Sequence, residues 1–145
     1  MNLAERIELL EKLGNYLMDD TEKMKAIKQK AFDQNKWFTI EFINLALKNI
    51  SEQYLKKDKL ENWVKHYHLD DNIKPKNIGI VMAGNIPLVG FHDFLSVFIS
   101  GHKQTIKLSE KDNVLLPYII EKLAGWNNEV RSFVEVASLL KNCEA

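Results

Sequence analysis

Three polar side chains in this sequence follow apolar runs, at positions where they can take part in chemistry. Asn85 comes just after the apolar run 78–82, while Lys107 and Glu110 end and follow a second run at 105–107. The carboxamide of an asparagine can donate to a developing oxyanion without being titrated, a contribution worth roughly 3 to 4 kcal/mol in other enzymes. A lysine and a glutamate on a neighbouring loop can bind the hydroxyls of a nucleotide ribose.

The elements that must position these residues alternate between strand and helix. Run 78–82 has no polar side chain, as expected for a strand covered on both faces. The full prediction is a strand at 78–82, a helix at 88–99, a strand at 105–107, a helix at 114–123, a strand at 133–137 and a short helix at 138–142. This alternation predicts parallel pairing through right-handed crossovers. Ligands bind beyond the carboxyl ends of such strands, so Asn85 and residues 107–110 are expected to face one crevice.

The first 70 residues show helical periodicity and predict a helical leader. Four helices are expected: one over 2–18, one from the N-cap Thr21 to 33–35, one that begins after Thr39, and one begun by Asp58 and Glu61 at capping-box spacing. The polar segment 70–75, which ends in Pro75, then separates residues 1–70 from residues 71–145. The predicted class is therefore α/β, with a helical segment followed by a partial parallel sheet.

Composition sets mild limits on function. The 145 residues are 46% hydrophobic and 28% charged, which is typical of one soluble domain. Twenty basic residues balance twenty acidic ones, so no net charge favours nucleic acid or an anionic membrane. The apolar runs are shorter than the roughly 18 residues of a membrane span, and the early glutamates do not fit a signal peptide. We therefore expect a cytoplasmic protein with no membrane span and no nucleic-acid partner.

The cysteine and the histidines do not predict a site. Cys143, the single cysteine, has no nearby base in the sequence to activate it, so a structural role is favoured. His66 and His68 lack the cysteine or acidic cluster that would complete a metal site, and a solvated helix end is the favoured interpretation. No metal is expected.

Two short motifs and their separation carry a resemblance to a known superfamily. They are Gly-Asn-Ile-Pro at 84–87 and Lys-Leu-Ser-Glu at 107–110. Residues 77–123 resemble the start of the cofactor-binding domain of aldehyde dehydrogenases, where the corresponding motifs are Pro-Trp-Asn-Phe-Pro and Lys-Pro-Ser-Glu. Residues 81–94, together with the helical leader, are most similar to acyl-CoA reductases of the LuxC type. At two positions the sequence departs from these motifs, with Gly84 in place of the superfamily's Trp and Leu108 in place of its Pro.

The resemblance implies reduction of a fatty acyl thioester, on CoA or a protein, to an aldehyde through a cysteine-bound acyl intermediate. The hydride donor would be NADPH, with NADH as the alternative. Asn85 would be the oxyanion donor, while Lys107, Ser109 and Glu110 would bind the cofactor near its adenosine ribose, and Lys107 would favour a 2'-phosphate. The sheet would be a partial Rossmann-like one of the aldehyde dehydrogenase type.

The resemblance also implies that residues 71–145 are an incomplete start of the nicotinamide-cofactor domain. The superfamily's Gly-Ser loop and nucleophilic cysteine would lie beyond Ala145, so the chain is expected to be an N-terminal portion that is inactive alone.

Plainer interpretations remain open for the same residues. Asn85 can be the cap of the following helix, and Lys107 and Glu110 can be a solvated strand end and a helix N-terminal charge. The alternative function is a non-catalytic helical and α/β protein-interaction module. An unpaired edge of a truncated sheet also predicts a homo-oligomer.

Overall fold

The computed structural model describes residues Met1–Ala145 and has an α/β architecture, which confirms the predicted class. The helices are α1 (Leu3–Leu17), α2 (Glu22–Gln34), α3 (Ile40–Gln53), α4 (Lys57–His66), α5 (Phe91–Ile99), α6 (Leu115–Trp126) and α7 (Val130–Phe133). The strands are β1 (Asn77–Val81), β2 (Lys103–Lys107) and β3 (Val134–Val136). They form one parallel sheet in the order β1-β2-β3. None of the seven helices combines the length and the apolar character needed to cross a membrane.

Side-chain caps fix the start of the first three helices. Asn2 and Glu5 form a capping box at the start of α1, in which each side chain accepts a hydrogen bond from the other residue's backbone N–H. Thr21 and Thr39 cap α2 and α3 by accepting from the N–H groups of Met24 and Phe42. The predicted N-cap of α2 and the predicted start of α3 after Thr39 are therefore confirmed.

The predicted capping box at the start of α4 is wrong. The N-cap is Lys56, which makes no side-chain cap, and Asp58 lies within the first helical turn. The chain turns early because Leu55, just before the helix, is fully buried against Gly14 of α1. Asp58 still suits its position, since a negative charge in the first turn is favourable beside the positive end of the helix dipole.

The end of the chain also differs from the prediction. Residues 138–142 do not form a helix: Leu140 and Cys143 pack beside Gly79 of β1, and Asn142 turns the chain with a φ of 57°. The tail then follows the free edge of β1, where Glu144 N–H donates to Asn77 O at 2.8 Å and Gly79 N–H donates to Ala145 O at 2.7 Å. These backbone bonds pair the end of the tail with β1. The unpaired edge that predicts self-association is therefore confined to β3.

One hydrophobic core of 30 buried residues includes side chains from both the leader and the α/β region. A buried arginine adds polar links between the two parts. The Arg6 guanidinium donates to Ile99 O at 3.2 Å and to Met1 O at 2.8 Å, and it lies 3.6 Å from the Asp71 carboxylate. Burial lowers the pKa of Arg6 and the nearby Asp71 opposes that shift. The leader is thus packed into the structure that carries the predicted site.

Candidate functional site

Two loops leave the carboxyl ends of neighbouring strands and carry the predicted site residues. The first loop, residues 82–90, follows β1, and the second loop, residues 108–114, follows β2. β1 and β2 pair in register up to Val81 and Lys107, and Met82 N–H extends the ladder by donating to Lys107 O at 3.0 Å. The two loops therefore begin side by side, as parallel pairing predicts.

Gly84 of the first loop packs directly against Ser109 of the second. A Cβ built on Gly84 would lie 2.3 Å from Ser109 Oγ and 2.6 Å from Ser109 Cβ, closer than real Cβ contacts allow. The Ser109 hydroxyl also accepts from Lys111 N–H at 3.2 Å, within the turn of the second loop. Glycine at this position is what allows the loops to touch. A tryptophan, which the resemblance would place here, does not fit this arrangement.

A carboxylate joins the loops at a second point. Asp112 Oδ2 accepts a hydrogen bond of 2.7 Å from Leu88 N–H. Leu88 is buried and has a φ of 57°, in the left-handed region that a leucine rarely adopts. Burial raises the pKa of the Asp112 carboxyl, and the bond from Leu88 partly opposes that rise.

Asn85 lies on the first loop between these two contacts, and its side chain is exposed. The residue before α5 is Gly90, and no side chain caps this helix, so the interpretation of Asn85 as a helix cap is wrong. The Asn85 carboxamide forms no hydrogen bond to another protein group. It remains free to donate to a ligand.

The predicted cofactor residues lie together on the neighbouring strand end and loop. Lys107 and Glu110 are exposed, and neither takes part in a salt bridge. Ser109 is half-buried against the first loop. The fold thus gathers an uncommitted amide, cation and carboxylate at one end of the sheet.

Asp112 and Leu88 are the site residues that sequence reasoning missed. Their bond joins positions 24 residues apart, so no local pattern marks either of them. The predicted start of α5 at residue 88 hides the contact further, since the helix begins only at Phe91. An apolar residue before a helix predicts continuation of the helix, whereas here the carboxylate holds Leu88 in a turn.

The remaining candidates form no complete site. Cys143 is half-buried, its thiol lies beside Gly79, and its Sγ is 3.5 Å from Lys141 O, with no histidine in contact. No group of three or more histidine, cysteine, aspartate or glutamate side chains is arranged to hold a metal ion. Two surface grooves of about 430 and 360 Å³ are lined by no residue of the two loops; the first lies against α1 and α4, and the second against α6, α7 and β3.

Gly84→Ala should destabilise the fold, because the new methyl group would overlap the Ser109 side chain. We expect the free energy of unfolding to fall by about 1 to 3 kcal/mol, as for overpacking elsewhere. Gly125→Ala is the matched control: it lies in α6 with nothing within 4 Å of an added Cβ, and should raise stability by up to about 1 kcal/mol. Urea unfolding of both variants measures the difference. Wild-type stability in Gly84→Ala would contradict the close packing of the loops.

Comparison with known proteins adds no relatives to this description. No protein-family model matches the chain, and neither a curated protein nor a solved structure shows significant similarity to it. The functional interpretation therefore depends on the geometry of the two loops and on the resemblance of their motifs.

Proposed function

We propose that this chain supplies the oxyanion donor and the adenosine side of an NADPH-dependent acyl-CoA reductase that converts a fatty acyl thioester to an aldehyde. The observation that carries the proposal is the direct packing of the two motif-bearing loops at the carboxyl ends of paired strands. Asn85, Lys107 and Glu110 are exposed there. The wider assignment, to LuxC-type enzymes with an aldehyde dehydrogenase-like sheet, belongs to the same proposal.

The chemistry assigns Asn85 one task. A cysteine thiolate from outside residues 1–145 attacks the thioester carbonyl, so that a new C–S bond forms and the bond to the CoA sulfur breaks. Negative charge develops on the carbonyl oxygen during the attack, and the side-chain amide of Asn85 donates a hydrogen bond to that oxygen. Bound NADPH would supply the hydride that reduces the acyl carbon, and breakdown of the adduct releases the aldehyde, the cysteine thiolate and NADP⁺.

The second loop would hold the cofactor. The Lys107 ammonium is an uncommitted cation suited to a 2'-phosphate, and the Glu110 carboxylate can accept hydrogen bonds from ribose hydroxyls. Ser109 is committed to the contact with Gly84 and to Lys111 N–H, so it shapes the loop that presents the other two side chains. NADPH is favoured over NADH because Lys107 has no protein carboxylate within salt-bridge distance to neutralise it.

Calorimetric titration of the chain with NADPH and NADH tests the cofactor assignment. We expect Lys107→Ala to weaken NADPH binding by about tenfold and NADH binding much less, since only NADPH carries the 2'-phosphate. Lys103→Ala is the matched control, because Lys103 is an exposed lysine at the opposite end of β2. The cofactor assignment fails if the wild-type chain binds neither nucleotide, or if both lysine variants lose NADPH affinity equally.

One observation favours the alternative function, a non-catalytic protein-interaction module. The only cysteine, Cys143, lies against Gly79 and its thiol has hydrogen-bond contacts only with Asn77 and Lys141, so no base activates it as a nucleophile. Under this alternative the chain captures a specific protein partner and gives no heat of binding with either nucleotide. A nucleotide titration that saturates would argue against it.

A further inference from the structure

Asp112 connects the two loops at the residue where the first loop is most strained. Its Oδ2 accepts from Leu88 N–H at 2.7 Å, and Leu88 has a φ of 57°. We infer that Asp112 is a positioning residue, which holds the first loop so that the Asn85 carboxamide is aimed at the reacting carbonyl oxygen. The inference rests on the proposed function, because that function gives Asn85 its role. The hydrogen bond between Asp112 and Leu88 is independent of the proposed function.

The left-handed conformation of Leu88 needs an external partner. A leucine is sterically disfavoured there, because its Cβ approaches the backbone. Pro87, the residue before it, has a fixed φ and no N–H, so the chain has little local freedom to relieve the strain. The charged acceptor of Asp112 compensates with a strong hydrogen bond to the Leu88 N–H. Without it, we expect Leu88 to move toward an extended conformation.

The turn that carries Asp112 is held by several hydrogen bonds. Asp112 N–H donates to Ser109 O at 3.1 Å, and Lys111 N–H donates to Ser109 Oγ at 3.2 Å, which closes the turn of the second loop. The leader supports that turn as well, since Asn35 Nδ2 at the end of α2 donates to Lys111 O at 3.0 Å. Through its bond to Leu88, Asp112 therefore fixes the first loop relative to this turn of the second loop.

Asn85 lies three residues before Leu88, next to a hydrogen-bonded turn that includes Leu88. Val89 N–H donates to Ile86 O at 3.2 Å, and Phe91 N–H donates to Leu88 O at 3.0 Å. Two overlapping hydrogen-bonded turns therefore span Ile86 to the start of α5, and Asn85 immediately precedes them. We expect a change at Leu88 to move both turns and Asn85 with them, because the Gly84 contact fixes only the residue before Asn85.

The first test compares Asp112→Ala with Asp112→Asn by NMR of the chain. In Asp112→Ala we expect Leu88 N–H exchange with solvent to speed up by roughly tenfold or more, and the Asn85 side-chain amide signals to shift. Asp112→Asn keeps a carbonyl acceptor of equal size and should restore much of the Leu88 protection. Asp93→Ala, which removes an exposed carboxylate in the first turn of α5, is the control and should change neither signal.

The second test measures function in a longer form of the protein that carries the nucleophile. We expect Asp112→Ala to lower kcat for acyl reduction by roughly 10²-fold with little change in NADPH affinity, because a misplaced donor weakens only the reaction step. Unchanged Leu88 exchange and Asn85 signals in Asp112→Ala would overturn the inference. So would equal losses of kcat and of NADPH affinity. Failure of the proposed function would appear differently, as absent nucleotide binding in a wild-type chain whose Leu88 amide still depends on Asp112.

Discussion

Asn85→Ala should lower the rate of the proposed acyl reduction by roughly 10²- to 10³-fold while leaving NADPH affinity within about twofold, because the donor it removes is the one proposed to act on the developing oxyanion. The Asn85 side chain is exposed and bonds to no protein group, so its truncation removes no structural contact. The measurement is NADPH oxidation with a long-chain acyl-CoA, in a longer form of the protein that carries the nucleophile, alongside NADPH titration.

Asn113→Ala provides the matched control for this substitution. Asn113 is an exposed carboxamide on the second loop, four residues beyond Ser109, and it has no proposed role in the reaction. It should retain both the rate and the affinity. Equal losses of rate and cofactor affinity in Asn85→Ala would remove Asn85 from the oxyanion role, and an equal loss of rate in both variants would point to a general effect on the loops.

The relation between the two loops explains why the proposal depends on structure as well as on motifs. Each motif alone describes a loop at the end of a strand, which is common in α/β proteins. The contact of Gly84 with Ser109 and the bond from Leu88 to Asp112 make the two loops one unit. An uncommitted amide and an uncommitted cation then lie on the same joined pair of loops, as the proposed transfer between a thioester and a cofactor would require.

Much of the fold follows from local patterns. The helices of the leader were predictable because apolar residues recur every three or four positions and Thr21 and Thr39 cap their own helices. The strands at 78–82 and 105–107 were predictable from short apolar runs, and they appear within a few residues of the predicted bounds as Asn77–Val81 and Lys103–Lys107. Such signals lie within one segment of chain, so they do not depend on what packs against it.

The errors all occur where a distant contact decides the conformation. Leu55 is buried against Gly14, which makes Lys56 the N-cap of α4 despite the capping spacing of Asp58. Residues 138–142 are not helical because Leu140 packs beside Gly79 and the tail beyond bonds to the edge of β1. Leu88 leaves the predicted helix because Asp112, from the next loop, holds its N–H. The candidate site was predictable only in part for the same reason. Asn85, Lys107 and Glu110 lie in local motifs, whereas the bond between Leu88 and Asp112 joins two loops and has no local signal.

Substitution of Arg6, which links the leader to the α/β region, should have the largest effect on stability. Arg6 is 4% exposed, and its guanidinium bonds to Ile99 O and Met1 O and lies beside Asp71. Methionine has similar length and retains most of the apolar packing, but it cannot donate to the buried Ile99 carbonyl. We expect Arg6→Met to lower the free energy of unfolding by about 3 kcal/mol. Chemical denaturation followed by circular dichroism measures the loss.

Arg131, the other arginine of the chain, provides the control. Arg131 is half exposed and pairs on the surface with Glu121 at 3.0 Å, so Arg131→Met should leave the unfolding midpoint almost unchanged.

The shape of the unfolding curve of Arg6→Met gives a second result. If the leader and the α/β region are held together mainly by Arg6, the variant should unfold in two steps, because each part would then unfold at its own denaturant concentration. A single transition at lower denaturant would instead mean that the shared apolar core keeps the two parts cooperative without Arg6. Wild-type stability in Arg6→Met would contradict the buried contacts themselves.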